Sequence, residues 1–365
     1  MASAAGRIYA FDWLRGVAVL VMIQTHSLGL LLPELQKGAF FNRLQMIDGL
    51  VAPSFIFSAG FAIALVQVRA GLAGRRMEQL KKSLKRITEV LFVAEFINFI
   101  WFNVIREPKW LLRIDILHCI ALSLYLVMPV LFALAMRPKL LRWVLLIIAL
   151  CVFAVAPLGE QVTGWPSLFL NTNFGVLDDT TGAGFPLLPW TGYVFLGASF
   201  GATIGSMKSE AELWQWLGLL IGLGAVLWFF DRPQIEGLYP PHHFWVTNPA
   251  NAAQRWTYVL SLVAIFRLIE RRWPASAQSA FFKWLAGFGA ASLSAYFFHE
   301  MLLFHYRVGL WSKFFKGQAS WALFWPLVIA LIFATWLCVK AWDRIDPKLR
   351  ALFTSSKEAK PQSAS

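Results

Sequence analysis

Long apolar runs dominate the chain, and most charged residues fall in the shorter segments between them. A bilayer core of about 30 Å requires roughly 20 apolar residues in a helix, and about ten segments approach that length. The predicted spans are Tyr9–Leu32, Ile47–Val68, Ile87–Val104, Ile114–Met136, Leu140–Ala156, Pro186–Met207, Leu213–Phe230, Trp256–Ile269, Trp284–Tyr306 and Trp321–Trp342. The pattern predicts an all-α fold, a polytopic integral membrane helical bundle with about ten transmembrane helices.

The positions of Lys and Arg predict the orientation of these spans. Basic residues concentrate after spans two, four and eight and in the tail, whereas residues 158–185 include acidic residues and no Lys or Arg. Basic loops stay on the cytoplasmic side of a membrane, so the prediction is N-in and C-in. Residues 1–350 are predicted to form a single transmembrane domain. The polar residues 351–365 predict a disordered cytoplasmic tail.

Composition narrows the class of protein. Of the 365 residues, 58% are hydrophobic and 15% are charged, and the formal net charge is +13. These values exclude a disordered chain, a disulfide scaffold and an ordinary water-soluble enzyme. A basic excess in so apolar a chain favours contact with anionic lipid over nucleic acid. Cys119, Cys151 and Cys338 lie far apart, without the spacing of a metal or redox site, and no metal is expected.

Ionisable side chains inside the first span are candidates for function, because a bilayer disfavours them unless they are paired or face water. Asp12, Arg15 and His26 lie in this span. The spacing of Arg15 and His26 places them about 20° apart on one helical face. Arg15 is then close to the cytoplasm and His26 in the outer half. A neutral imidazole suits a general base for a hydroxyl or amine nucleophile.

The predicted topology brings further polar residues to the outer side. Asp48 begins span two, and Asp115 and His118 begin span four, one helical turn apart. His299 and Glu300 lie in the outer part of span nine. A carboxylate (Asp48, Asp115 or Glu300) would orient the imidazole. The candidate catalytic residues are His26, Asp48, Asp115, His118 and His299.

Several of these features have structural alternatives. Asp12 and Arg15 are spaced as an ion pair that fixes the start of a helix. His118 fits a hydrogen-bonded histidine between helices as well as a catalytic one. The residues 197–201 match the pattern G-x-S-x-G, but a nucleophile elbow requires a strand, a turn and a helix. Small residues inside a predicted span favour close helix packing instead.

Several motifs, in order along the chain, resemble one family. The segment Phe11–Leu20, followed by His26, resembles the D-x-x-R-G opening of transmembrane acyltransferases. Further similarities are a D-x₄-P-x-F-x-F pattern from Asp48 to Phe57, the segment Ile114–Leu122, the proline–tryptophan segment Phe185–Val194 and the S-x-Y-x-x-H element Ser294–His299. Together they resemble the heparan-α-glucosaminide N-acetyltransferase-like branch and its bacterial relatives.

The resemblance implies an acyl-CoA-dependent O- or N-acyltransferase in a bacterial inner membrane. It would move an acyl group, acetyl in the first instance, from cytoplasmic acyl-CoA to a hydroxyl or amine of an extracytoplasmic acceptor. The implied partners are acyl-CoA, a carbohydrate or glycan acceptor and anionic membrane lipids, without nucleic acid. Basic side chains match phosphate oxygens. The residues expected at acetyl-CoA or another acyl-CoA are Asp12, Arg15, Arg75, Arg76, Lys82 and Arg86. The basic run also fits a lipid-facing loop.

The resemblance has two departures. Asp115 and His118 stand where the family is expected to have a glutamine–arginine pattern. In the lysosomal branch the catalytic histidine lies in the loop after span one, whereas the loop Pro33–Met46 has no histidine. Either His26 takes that role from a different position, as a base or as a brief carrier of the acyl group, or this branch uses another route, such as direct transfer. The alternative function is a proton-coupled secondary transporter, with His26, Asp48 and Asp115 as an intramembrane relay. A third interpretation is a structural membrane subunit.

Overall fold

The computed structural model describes residues 8–101, 108–170, 184–229, 236–305 and 307–358, and the elements it forms there are helices. The helices are α1 (Tyr9–Ser27), α2 (Ala39–Asp48), α3 (Val51–Leu72), α4 (Arg76–Trp101), α5 (Ile116–Leu134), α6 (Pro138–Gly159), α7 (Ser167–Leu170), α8 (Leu187–Ser206), α9 (Glu210–Phe229), α10 (Phe244–Thr247), α11 (Pro249–Arg272), α12 (Ala280–Ala290), α13 (Ser292–Phe304), α14 (Leu310–Phe315) and α15 (Trp321–Glu358). Short 3₁₀ turns lie between some of them.

Seven segments of the described chain are long and apolar enough to cross a membrane. They are Tyr9–Leu30, Ala39–Leu72, Ile116–Leu134, Pro138–Gly159, Leu187–Ser206, Glu210–Phe229 and Trp321–Pro347. Each of them overlaps one predicted span. The prediction of an all-α, polytopic membrane protein is therefore confirmed, and the exact number of spans stays a prediction.

The three other predicted spans differ from these seven. Spans three and eight correspond to α4 and α11, which are long helices with more charged residues. Span nine is two helices, α12 and α13, interrupted at Ala291. Gly287 and Gly289 come just before the interruption, and glycine weakens a helix. Tyr306, the predicted end of span nine, and Val104, the predicted end of span three, lie outside the described residues.

The chain forms two compact units. Unit one is Met1–Leu14 with Gly49–Ser279, and unit two is Arg15–Asp48 with Ala280–Ser365. Residues 1–350, which are expected to form a single domain, therefore contribute to two compact units, each with its own internal contacts. Unit two combines parts of the chain from both ends. In unit two α15 continues to Glu358, into the segment expected to be disordered, and residues 359–365 lie outside the described residues.

Helix α8 is the centre of unit one. Its residues from Pro189 to Ile204 are all buried, and it packs against α3, α5 and α6. A helix that is apolar on every side requires such burial. Two of its hydroxyl groups bond to neighbouring helices: Thr191 Oγ1 lies 2.7 Å from the Ser123 hydroxyl, and the Ser199 hydroxyl donates to the carbonyl of Arg142 at 2.7 Å.

Glycines allow α3 and α8 to approach closely. A Cβ atom at Gly60 would overlap the carbonyl of Val194, and one at Gly197 would overlap the carbonyl of Phe57. Gly201 makes the same kind of approach to α3. The glycines of the G-x-S-x-G pattern therefore serve helix packing, which confirms that interpretation of the pattern.

We expect Gly197→Ala to destabilise unit one by roughly 1–3 kcal/mol, because the added methyl group must displace the backbone of α3. The matched control is Gly218→Ala on α9, since a Cβ atom there has nothing within 4 Å. Thermal unfolding of the purified variants in detergent measures the difference. Equal unfolding midpoints for the two variants would contradict the close packing of α3 and α8.

An ion-pair network joins three helix ends in unit one. Arg267 donates to both carboxylate oxygens of Glu210, at 2.8 and 2.6 Å, and to Glu270 at 2.8 Å. The backbone N–H of Tyr9 donates to the other oxygen of Glu270 at 2.9 Å. The starts of α1 and α9 and the end of α11 therefore lie together. The predicted topology assigns all three to the cytoplasmic side, so the network agrees with the predicted alternation of these helices.

In unit two, backbone hydrogen bonds join the segment after α1 to the start of α15. Leu32 donates to the carbonyl of Ala319 at 3.0 Å, and Ala319 donates to the carbonyl of Leu30 at 2.9 Å. Earlier in α1, a Cβ atom at Gly16 would overlap the carbonyl of Leu285 in α12. Helix α13 packs against α14 and α15. These contacts hold the last turn of α1 in position within unit two.

Candidate active site

His26, His299 and Glu300 meet in unit two. His26 Nδ1 lies 2.6 Å from Glu300 Oε1 and 2.8 Å from His299 Nε2. His299 Nε2 is 3.4 Å from the same oxygen of Glu300. His26 belongs to the last turn of α1, and the other two residues belong to α13. Two residues 273 positions apart in the chain, His26 and His299, thus share one hydrogen-bonded cluster.

The hydrogen bonds assign the tautomer of each imidazole. His299 Nδ1 lies 2.9 Å from the carbonyl oxygen of Ala295, which only accepts, so this nitrogen carries a hydrogen. In the neutral ring, His299 Nε2 is then an acceptor, as is the Glu300 carboxylate. The three atoms that meet are His26 Nδ1, His299 Nε2 and Glu300 Oε1, and the last two are acceptors. The hydrogen that they share is therefore bonded to His26 Nδ1. The unprotonated nitrogen of His26 is Nε2, the nitrogen on which a general base would act.

Exposure differs among the three side chains in a way that suits this role. The side chain of His299 is 0% exposed, that of Glu300 is 10% exposed and that of His26 is 32% exposed. The His26 ring stacks on the His299 ring, and Phe304 lies against it. A buried carboxylate with two imidazole neighbours is strongly oriented, because a charged group in low dielectric requires partners. His26 is the most exposed of the three side chains.

A second carboxylate, Asp48, lies beside the same turn of α1. Both of its oxygens are buried. The carboxylate interacts with the side chains of Gln24 and Thr25 and with the His26 ring. Asp48 is therefore held beside His26 by polar groups of the last turn of α1.

Asp115 and His118 lie in unit one, at the start of α5, where they form a capping box. Asp115 Oδ1 accepts from the N–H of Ile116 at 2.7 Å, and the N–H of Asp115 donates to His118 Nδ1 at 3.3 Å. The other nitrogen of His118 lies 3.2 Å from Glu95 Oε1. Both side chains thus satisfy backbone groups at a helix end. Their catalytic role stays a prediction.

Two of the basic residues expected at acyl-CoA form ion pairs on α4. Lys82 Nζ lies 2.6 Å from Glu78 Oε1, and Arg86 Nη1 lies 3.1 Å from Glu89 Oε2. The hydrogen bond from Lys82 lowers the pKa of Glu78 below its ordinary value. Exposed pairs of this kind contribute little to stability, so either cation can exchange its partner for a phosphate.

The other residues expected at acyl-CoA lie in α1 and at the start of α4. Arg75 and Arg76 are exposed, and the guanidinium of Arg76 lies 4.9 Å from the centre of the Phe132 ring. In α1, Asp12 is buried and Arg15 is half-buried. Their role at a phosphate stays a prediction.

Sequence reasoning identified part of this site. His26, Asp48 and His299 were expected to be catalytic, and they lie together in unit two. Glu300 is one of the three carboxylates that the sequence offers as the partner of the imidazole, and its Oε1 lies 2.6 Å from His26 Nδ1. The sequence does contain a signal for this cluster, because His299 and Glu300 are adjacent ionisable residues in an otherwise apolar segment. Glu95, which lies 3.2 Å from His118 Nε2, is not among the candidate catalytic residues predicted from the sequence.

The fold and this cluster define a class of protein: a polytopic helical membrane protein with a buried glutamate in contact with two histidines. A comparison with protein families then identifies the family. The sequence profile described as heparan-alpha-glucosaminide N-acetyltransferase, catalytic, matches residues 7–228. The chain belongs to this membrane acetyltransferase family. No single curated protein matches the chain significantly.

The family match covers only part of the site. It includes His26 and Asp48 and ends before α12 and α13. His299 and Glu300 are therefore assigned to the site by the structure, through their contacts with His26.

Proposed function

We propose that this protein transfers an acyl group, most simply acetyl, from acyl-CoA to a hydroxyl or amine of an acceptor, with His26 as general base. The observation that carries the proposal is the 2.6 Å contact between His26 Nδ1 and Glu300 Oε1. It leaves Nε2 as the basic nitrogen and places a negative charge beside the imidazolium that forms. Family membership supports acetyl as the acyl group.

The proposed reaction is a direct transfer. His26 Nε2 removes the proton of the acceptor hydroxyl or amine as its oxygen or nitrogen attacks the thioester carbon. A new C–O or C–N bond forms, the C–S bond breaks, and the CoA thiolate leaves and takes up a proton. Glu300 and His299 are positioning residues that hold the His26 ring in the required tautomer. General base catalysis of this kind contributes roughly 10²–10⁴-fold.

The proposed orientation places the donor inside and the acceptor outside. The exposed cations at the start of α4 would bind the phosphates of acyl-CoA in the cytoplasm and would also contact anionic lipid. His26 and α13 would lie toward the outer side. A sugar or glycan is the acceptor class that agrees with the family, and a bacterial inner membrane is the proposed location.

The test is turnover of labelled acetyl-CoA by the full-length protein in nanodiscs. We expect CoA release when glucosamine or methyl glucoside is added, and acetyl label on whichever sugar is the better acceptor. Label on the amine of glucosamine indicates N-transfer, and label on methyl glucoside indicates O-transfer. Empty nanodiscs provide the background.

The alternative of a proton-coupled transporter makes a different prediction. A relay through His26 and Asp48 would give pH-driven solute flux in liposomes without acyl-CoA. Such flux, together with no turnover of acetyl-CoA or longer acyl-CoAs, would overturn the proposed transferase. Asp115 is the third residue of that relay. It accepts a hydrogen bond from the N–H of Ile116 at the start of α5, so its carboxylate has a structural role there.

A further inference from the structure

The three side chains of the cluster also present the donor atoms of a metal site. Among the described residues, His26, His299 and Glu300 form a group whose donor atoms all lie within 4.8 Å of one another. Two imidazole nitrogens and one carboxylate oxygen are ligands typical of Zn²⁺, whereas Mg²⁺ and Ca²⁺ favour oxygen. We propose that this cluster binds a divalent transition metal of the zinc type, and that the bound metal inhibits the enzyme.

The distances suit a metal after a small movement of one side chain. A tetrahedral zinc ion about 2.0–2.1 Å from each ligand requires ligand atoms about 3.3 Å apart. His299 Nε2 and Glu300 Oε1 are already 3.4 Å apart. His26 Nδ1 lies closer to both, at 2.8 and 2.6 Å, and has to move outward by about 0.5 Å. His26 is the most exposed of the three, so this movement displaces little of the core.

A neighbouring backbone group supports the site. His299 Nδ1 donates to the carbonyl of Ala295 at 2.9 Å, and this is the hydrogen bond that orients most metal-binding histidines. The ligand set among the described residues is two histidines and one carboxylate. A water molecule would take the fourth position of a tetrahedral ion.

The metal and the base compete for one imidazole. A metal on Nδ1 of His26 requires the lone pair of that nitrogen, so the hydrogen moves to Nε2. Nε2 is the nitrogen that has to accept the proton of the acceptor, so the metal-bound ring is inactive as a base. This inhibition rests on the proposed function, whereas the binding of the metal does not.

The test uses Co²⁺ as a spectroscopic probe for the full-length protein in detergent, after treatment with a chelator. We expect a visible absorption band that saturates at one Co²⁺ per chain and disappears when Zn²⁺ is added. His299→Ala and Glu300→Gln are expected to weaken Co²⁺ binding at least tenfold. His26→Gln gives a further comparison if either of these fails to fold. The matched control is His243→Ala, an exposed histidine of unit one, with binding like that of the wild type.

The outcomes separate the two proposals. No saturable Co²⁺ band in the wild type, or an unchanged band in His299→Ala and Glu300→Gln, overturns the metal site and leaves acetyl-CoA turnover as it was. A saturable band, together with no turnover of acetyl-CoA or longer acyl-CoAs by the chelator-treated, metal-free protein, supports the metal site and overturns the proposed function. Zn²⁺ that binds at this site but does not slow CoA release overturns the inhibition.

Discussion

His26→Ala is expected to lower the rate of acetyl-CoA turnover by roughly 10²–10⁴-fold. The substitution removes Nε2, the nitrogen that would accept the proton of the attacking hydroxyl or amine. It also removes the donor to Glu300, which lies 2.6 Å from His26 Nδ1. The measurement is initial CoA release at saturating acetyl-CoA and acceptor, compared with the wild type in the same nanodiscs.

Two controls separate chemistry from folding in this experiment. His243→Ala removes an exposed histidine of unit one and is expected to leave turnover within a factor of about two, as for most surface substitutions. Thermal unfolding of His26→Ala shows whether unit two is intact. A folded His26→Ala protein with turnover like that of the wild type would show that His26 is not the base.

Glu300→Gln is expected to reduce kcat on the order of 10²-fold, with little change in KM for acetyl-CoA. The amide is nearly isosteric with the carboxylate, so it preserves packing. It removes the negative charge that stabilises the protonated His26 ring. Its NH₂ group can also donate toward His26 and favour the wrong tautomer. Steady-state kinetics of CoA release measure kcat and KM separately, and a residue with only a structural role would not separate them.

Two further variants test the link between Glu300 and His26. Glu300→Asp retains the charge and is expected to recover part of the lost kcat. The double variant His26→Ala with Glu300→Gln is expected to be no slower than His26→Ala alone, because Glu300 acts through the His26 ring. Additive losses in the double variant would assign Glu300 an independent role.

The helices were predictable from sequence because the signal is local. A run of apolar residues determines whether a helix can lie in a bilayer, and this property does not depend on distant contacts. Each of the seven long apolar segments therefore overlaps a predicted span. The interruption of span nine at Ala291 was missed, although Gly287 and Gly289 mark it.

The role of Asp115 and His118 was only partly predicted. The sequence shows the two residues three positions apart at the start of an apolar helix, and that spacing is typical of a capping box. Their chemistry suggested catalysis because a carboxylate and an imidazole suit proton transfer. Hydrogen bonds to the backbone of α5 are what the structure assigns to both.

The sequence by itself determined that the protein is helical, that it is a membrane protein, and that His26 is an unusual residue in an apolar helix. Only the tertiary structure decided which carboxylate accompanies His26. Three carboxylates were candidates, and helical periodicity does not determine how helices far apart in the chain pack against one another. Glu300 is the carboxylate that is buried against the His26 and His299 rings. A buried carboxylate is stable only where hydrogen-bond donors surround it, so this packing determines which carboxylate accompanies His26.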